Sequence, residues 1–122
     1  MFNGCSNIDG NITIAATTVK ANCCREMFYN CTNLTRMPYL PATTLANSCY
    51  YSMFNRCSKL KYINNLPATT LADNCYYAMF ENCTSIEQIY QLQATNLANA
   101  CYQFMYRYCN NLSNSNISLP AT

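Results

Sequence analysis

Ten cysteines stand in a chain of 122 residues that contains no histidine. A cysteine count of that size suggests three chemistries: a disulfide framework, a metal site, or thiol nucleophiles. Nucleophilic catalysis by Cys needs a base within hydrogen-bond reach, usually His, and that partner is missing. No Cys-x-x-Cys occurs, so the commonest zinc and redox spacing is absent too. The carboxylates Asp9, Glu26, Asp73, Glu81 and Glu87 are scattered, with no pair held for acid and base work. They read as solvated surface residues. Gly4 and Gly10 are the only glycines, which leaves no Gly-rich phosphate loop. The chain is therefore expected to be no enzyme, with no catalytic residues, no metal and no cofactor.

The spacing of the cysteines says more than their number. One series falls at Cys5, Cys31, Cys57, Cys83 and Cys109, and another at Cys23, Cys49, Cys75 and Cys101, both with a step of 26 residues. Met-Phe pairs keep the same step at Met1-Phe2, Met27-Phe28, Met53-Phe54 and Met79-Phe80, closing with Met105-Tyr106. Leu40-Pro-Ala-Thr-Thr-Leu45 returns at Leu66 to Leu71 and, degraded, at Ile14 to Val19 and Leu92 to Leu97. A period of this length marks stacked supersecondary units. The expected organisation is a single solenoid over 1–122 with approximate units 1–26, 27–52, 53–78, 79–104 and 105–122. The chain opens and stops inside a unit, and its final Leu119-Pro-Ala-Thr122 resembles the entry to another one. We expect a segment of a longer protein.

Each unit must place its inward residues on regular elements. From Thr43 to Cys57, a helical wheel puts Leu45, Ala46, Cys49, Tyr50, Met53, Phe54 and Cys57 on one half. This predicts an amphipathic helix with Thr43 as N-cap, repeated over 69–83, 95–109 and 17–31. Short strands are expected at Lys61 to Ile63, Arg36 to Pro38 and Gln88 to Tyr90. The fold class is then an α/β repeat, a leucine-rich-repeat-like solenoid with short parallel strands on the concave face and helices on the convex face. Cys49 and Cys57 lie about 12 Å apart along such a helix, too far for a disulfide, which needs Cα atoms within about 7 Å. Buried free thiols in a cysteine ladder are the leading expectation, with inter-unit disulfides and a metal as alternatives. Cys24 belongs to neither series and takes the place of Tyr50 and Tyr76. It sits at the core edge, within reach of oxidation.

The frame Cys57-x-x-Leu60-x-x-Ile63-x-x-Leu66-Pro67, then Leu71-x-x-x-Cys75-Tyr76-x-x-Met79-Phe80-x-x-Cys83, resembles the BspA-type leucine-rich repeats. It looks closest to their Leu-Pro-Ala-Thr-Thr-Leu and Met-Phe-x-x-Cys variety in surface proteins of Bacteroides-like bacteria and their phages. The resemblance implies recognition or adhesion at a host or partner surface and carries over no catalytic residue. One residue too many between Ile63 and Leu66, and a longer helical half, depart from that pattern.

Hydrophobic residues make up 51% of the chain, charged ones 10%, and the net charge is +2. That balance supports a packed core. The lack of a Lys/Arg run argues against nucleic acid, and no apolar run approaches the roughly 18 residues of a membrane span. The candidate binding residues are those that vary on the strand side: Arg36 and Tyr39, Lys59, Lys61 and Tyr62, then Glu87, Gln88 and Tyr90. Stacked, they form a Tyr-studded face suited to protein or sugar. The bland reading is drift at unselected surface positions. Tyr50, Tyr76 and Tyr102 read as packing, and Tyr51, Tyr77 and Gln103 as a fallback contact face. Methionines 27, 53, 79 and 105 read as core. The N-x-S/T matches at Asn11, Asn30, Asn33, Asn82, Asn111 and Asn116 read as turn and cap residues. The expected function is a non-enzymatic recognition or adhesion module for protein or glycan, extracellular, on a cell surface or a virion. The alternative is a structural spacer in a fibre or virion, and end-to-end stacking or a homo-oligomer fits either.

Overall fold

The computed structural model describes residues 2, 4, 5, 12–90 and 92–112. Asp9, Asn11, Asn116 and the Leu119 motif therefore lie outside the described residues. The 26-residue period is visible directly in the backbone: parallel bridges join Arg36 to Tyr62, Thr44 to Thr70 and Thr70 to Asn96. Each coil of the chain lies on the next with its landmarks in register.

The coils are not built as the wheel predicts. No helix forms among the described residues, and β-pairing between coils there is limited to those single bridges. The segments expected as helices hold runs of turns at 21–30, 47–56, 73–82 and 99–108. The expected strands at Lys61 to Ile63, Arg36 to Pro38 and Gln88 to Tyr90 do not extend beyond the Arg36–Tyr62 bridge. Helices on a convex face, strands on a concave face and the curvature that follows from them are thus all overturned. Thr43 caps nothing; its carbonyl accepts the amides of Thr69 and Thr70 at 2.9 and 3.3 Å.

The reason lies in the destinations of the amides. Between Ser48 and Cys57, every second amide (Cys49, Tyr51, Met53, Asn55, Cys57) donates three residues back within its own coil. The alternate amides of Ser48, Tyr50, Ser52, Phe54 and Arg56 donate to Asp73, Cys75, Tyr77, Met79 and Glu81 of the following coil. All ten donors are satisfied, half of them by a neighbour, as a buried backbone requires. A helix would need every amide to reach four residues back. That route is closed here because φ is positive at every fourth residue: Ser48, Ser52 and Arg56, then Asn74, Ala78 and Asn82.

This backbone has a true period of four. Inward residues therefore come as adjacent pairs, Cys49-Tyr50, Met53-Phe54 and then Cys57, all of them buried. Over a dozen residues a period of four drifts from 3.6 by about 120°, which still fits within one half of the wheel, so the wheel separates the faces correctly while naming the wrong element. Side chains then stack in columns along the coils. The rings of Phe2, Phe28, Phe54, Phe80 and Tyr106 are nearly parallel at successive spacings of 5.3, 5.4, 5.6 and 5.6 Å. Tyr50, Tyr76 and Tyr102 form a second column at 6.0 and 6.1 Å, inside the protein as expected. Leu34, Leu60 and Ile86 fill the opposite side with Met37, Ile63 and Ile89.

Polar columns fix the register. Asn47 Oδ1 accepts the Asp73 amide at 3.1 Å, and Asp73 Oδ1 accepts the Asn99 amide at 3.0 Å. The buried Glu81 carboxylate accepts from Asn55 Nδ2 at 3.3 Å and from Arg107 Nε at 2.7 Å.

Left-handed backbone costs a residue with a Cβ about 1–2 kcal/mol. Asn22, Asn30, Asn74 and Asn82 bear this well, and so match the turn role expected of Asn30 and Asn82. Arg56, at φ 65° and exposed, does not. Replacing it with Gly is expected to be neutral or stabilising. Arg56→Val should be less stable than Arg56→Gly by about 1–2 kcal/mol, since a β-branched residue fits this region worst. Urea midpoints of the two variants check this; equal midpoints would contradict the turn geometry.

Candidate functional site

All ten cysteines are free thiols, and the geometry gives one series a specific duty. The Sγ–H of Cys31, Cys57, Cys83 and Cys109 donates to the carbonyls of Phe2, Phe28, Phe54 and Phe80 in the preceding coil, at 2.9, 3.1, 3.0 and 3.0 Å. A cysteine fits this slot because it is a small hydrophobe with one weak donor. Desolvation pushes Cys57 up to about 12 and Cys109 to about 11, and raises Cys31 and Cys83 as well. In the other series burial raises Cys49 to about 12 and Cys75 to about 11. These are protonated packing groups, and no three metal-ligating side chains converge among the described residues. Nor is any helix there long and apolar enough to cross a membrane.

The face that varies between coils does form a concavity. Arg36, Lys61, Tyr62, Gln88 and Tyr90 line a groove of about 180 Å³ together with Ile63 and Asn64. Three of them, Arg36, Tyr62 and Gln88, occupy the same place in successive coils, so one column supplies a cation, a phenol and an amide. The Arg36 guanidinium lies 4.6 Å over the Tyr62 ring, and Lys61 Nζ lies 5.9 Å from it. Tyr62 and Tyr90 are 49% and 46% exposed, leaving broad aromatic area open at the groove.

The other three expected binding residues stand apart from this lining. Glu87 pairs with Lys61 at 3.7 Å beside the groove, an exposed contact worth about 0.2–1 kcal/mol. Lys59 donates to Asn33 Oδ1 at 3.0 Å. Tyr39 is 54% exposed and does not line the groove. Two lining residues were missed by the residue-type argument. Ile63 is buried and supplies apolar wall. Asn64 donates to the Met37 carbonyl at 3.2 Å, which fixes its side chain and leaves its oxygen as an acceptor. Asn64 shares its column with Pro38 and Tyr90, so comparing columns would have found it.

A second aromatic row runs along the turns. Tyr51 and Tyr77 stack at 4.7 Å, Arg25 lies 4.2 Å over Tyr51, and Phe104 meets Tyr77 edge-on at 5.4 Å. Gln103 keeps the column register of these tyrosines, its carbonyl accepting the Ala78 amide at 2.9 Å, while the aromatic neighbour of Tyr77 on that side is Phe104. These rings are largely satisfied by one another. The groove, with cations and half-open phenols, is the better ligand site. No family model, no curated protein and no solved structure matches this chain.

Proposed function

We propose that the protein is a non-enzymatic recognition module that binds a protein or glycan ligand through this groove, in the setting of a bacterial or phage surface. The observation that carries the reading is the gathering of five variable polar and aromatic residues around one concavity, on coils whose core columns are repetitive. The groove offers ring faces for apolar contact, two cations, and amide groups for hydrogen bonds. Such a mixture suits sugars and polar peptide segments. It holds no nucleophile and base pair for catalysis.

A second reading, a structural spacer, rests on the continuous amide and ring columns, which give a stiff stack with no need of a ligand. Binding to a glycan array and a displayed peptide library separates the two. Under the recognition reading, Tyr62→Ala and Arg36→Ala each weaken captured ligands at least about tenfold, equivalent to about 1.4 kcal/mol. Lys59→Ala, outside the lining, leaves binding unchanged. All three should keep the parental Tm. Ligands that survive both groove substitutions, or no ligand at all, would leave the spacer reading in its place.

A further inference from the structure

The first coil differs from the later ones at its inward Cys-Tyr pair. Where those coils have Cys49-Tyr50, Cys75-Tyr76 and Cys101-Tyr102, this one has Cys23-Cys24. The Tyr column thus ends on a thiol, and without a ring in that slot the two sulfurs stand 3.6 Å apart. Cys23 is exposed, whereas Cys24 is 9% exposed. None of the other eight cysteines is exposed; Cys5 is half-buried and the rest are buried. Four thiols are occupied by carbonyls of the preceding coil. Accessibility and proximity of a second thiol therefore coincide at one pair.

We propose that Cys23 and Cys24 form a dithiol site that reacts with low-molecular-weight disulfides, Cys23 attacking and Cys24 resolving. In the first step the Cys23 thiolate attacks one sulfur of R–S–S–R. A Cys23–S–S–R bond forms, and RS⁻ leaves and takes a proton from solvent. In the second step Cys24 loses its proton to solvent, and its sulfur attacks that of Cys23 and expels the second RS⁻. The pair loses two hydrogens, and the small disulfide is reduced to two thiols. The sulfurs must close from 3.6 Å to a bond of about 2.05 Å, which takes side-chain rotation and a local adjustment of the peptide between them, because adjacent Cα atoms stand about 3.8 Å apart, closer than in ordinary disulfides. Burial first, and then the hydrogen bond with Cys23, push Cys24 up to about 12. In the resting pair Cys24 thus stays protonated, and its sulfur accepts the Cys23 thiol. A ring closed between adjacent residues is strained, and strained disulfides are the readily reduced ones. The modification is reversible for that reason.

Lys20 and Arg25 make the test clean, because trypsin releases residues 21–25 as Ala-Asn-Cys-Cys-Arg, with no other cysteine. The native protein is treated with oxidised glutathione, blocked with iodoacetamide, digested and weighed. The expected wild-type peptide is lighter by two hydrogens, while the other eight cysteines remain unoxidised. Cys24→Ser should stop at one glutathione on Cys23, and Cys23→Ser should acquire none. A wild-type peptide that keeps its glutathione refutes resolution by Cys24. Oxidation of the other cysteines at a similar rate refutes the site. Both outcomes are measured on the wild-type protein and hold even if a variant folds poorly.

Discussion

Raising the pH from 9 to 11 is expected to destabilise this protein steeply, with a substantial part of its stability already gone near pH 10. The buried thiols are the cause. Cys49 and Cys57 are pushed up to about 12, Cys75 and Cys109 to about 11, and Cys83 well above its ordinary 9.0, each chiefly by desolvation. In the unfolded chain the same thiols ionise from pH 9 upward. A group whose folded value is raised contributes stability fully below its unfolded value, and loses it as pH climbs toward the folded one. Between pH 9 and 11 the unfolded state holds fewer protons, so stability falls with pH. At pH 10 each of Cys49, Cys57, Cys75 and Cys109 removes about 1 kcal/mol, and Cys83 acts in the same direction. Their sum rivals the 5–15 kcal/mol that typically holds a domain together. Ionisation also deletes the Sγ–H donors to Phe28, Phe54 and Phe80. Urea unfolding followed by circular dichroism at pH 7, 9 and 10 checks this; equal midpoints would show that the thiols are not held in a dry core.

What the sequence made legible and what it hid have a common origin. Repetition at 26 residues exposes every column, because residues that recur at one offset must meet when coils stack. Most of the Cys, Phe and Leu columns were thus placed in the core correctly, and free thiols were the leading expectation; at the first coil the reading is reversed, because Cys23 is exposed while Cys24, expected within reach of oxidation, is buried. The variable face could be read too, and five of its eight expected residues meet in the groove. The backbone was the hidden part. A wheel sees which side chains face inward, and the pairs Cys49-Tyr50 and Met53-Phe54 are inward in either construction. Only the strict step of four, against the 3.6 of a helix, separates them. The usual marker of left-handed turns is Gly, and here those places hold Ser48, Ser52, Arg56 and Ala78. Local propensity therefore argues for a helix, and the bonds to the next coil override it. The missed Asn64 illustrates the same point for the site: its place is set by the Met37 carbonyl one coil away.

Those bonds between coils make the middle of the stack its most sensitive part, and Phe54 shows why. Its ring is fully buried between Phe28 at 5.4 Å and Phe80 at 5.6 Å. Its amide donates to Met79, and its carbonyl accepts the Cys57 amide and the Cys83 thiol. Truncating a buried Phe costs about 3–5 kcal/mol, and each lost ring pair adds about 0.5–1.5 kcal/mol. In an array held by nearest-neighbour interfaces, Phe54→Ala damages two interfaces at once. Tyr106, by contrast, has Phe80 as its ring neighbour in this column. We expect Phe54→Ala to lower Tm by about 15 °C or more, Tyr106→Ala to cost roughly half as much energy, and Phe54→Leu to recover much of the loss by keeping apolar volume. Thermal melts at pH 7 with reductant present make the comparison. Equal losses for Phe54→Ala and Tyr106→Ala would mean that the rings stabilise the protein singly rather than as a column coupling one coil to the next.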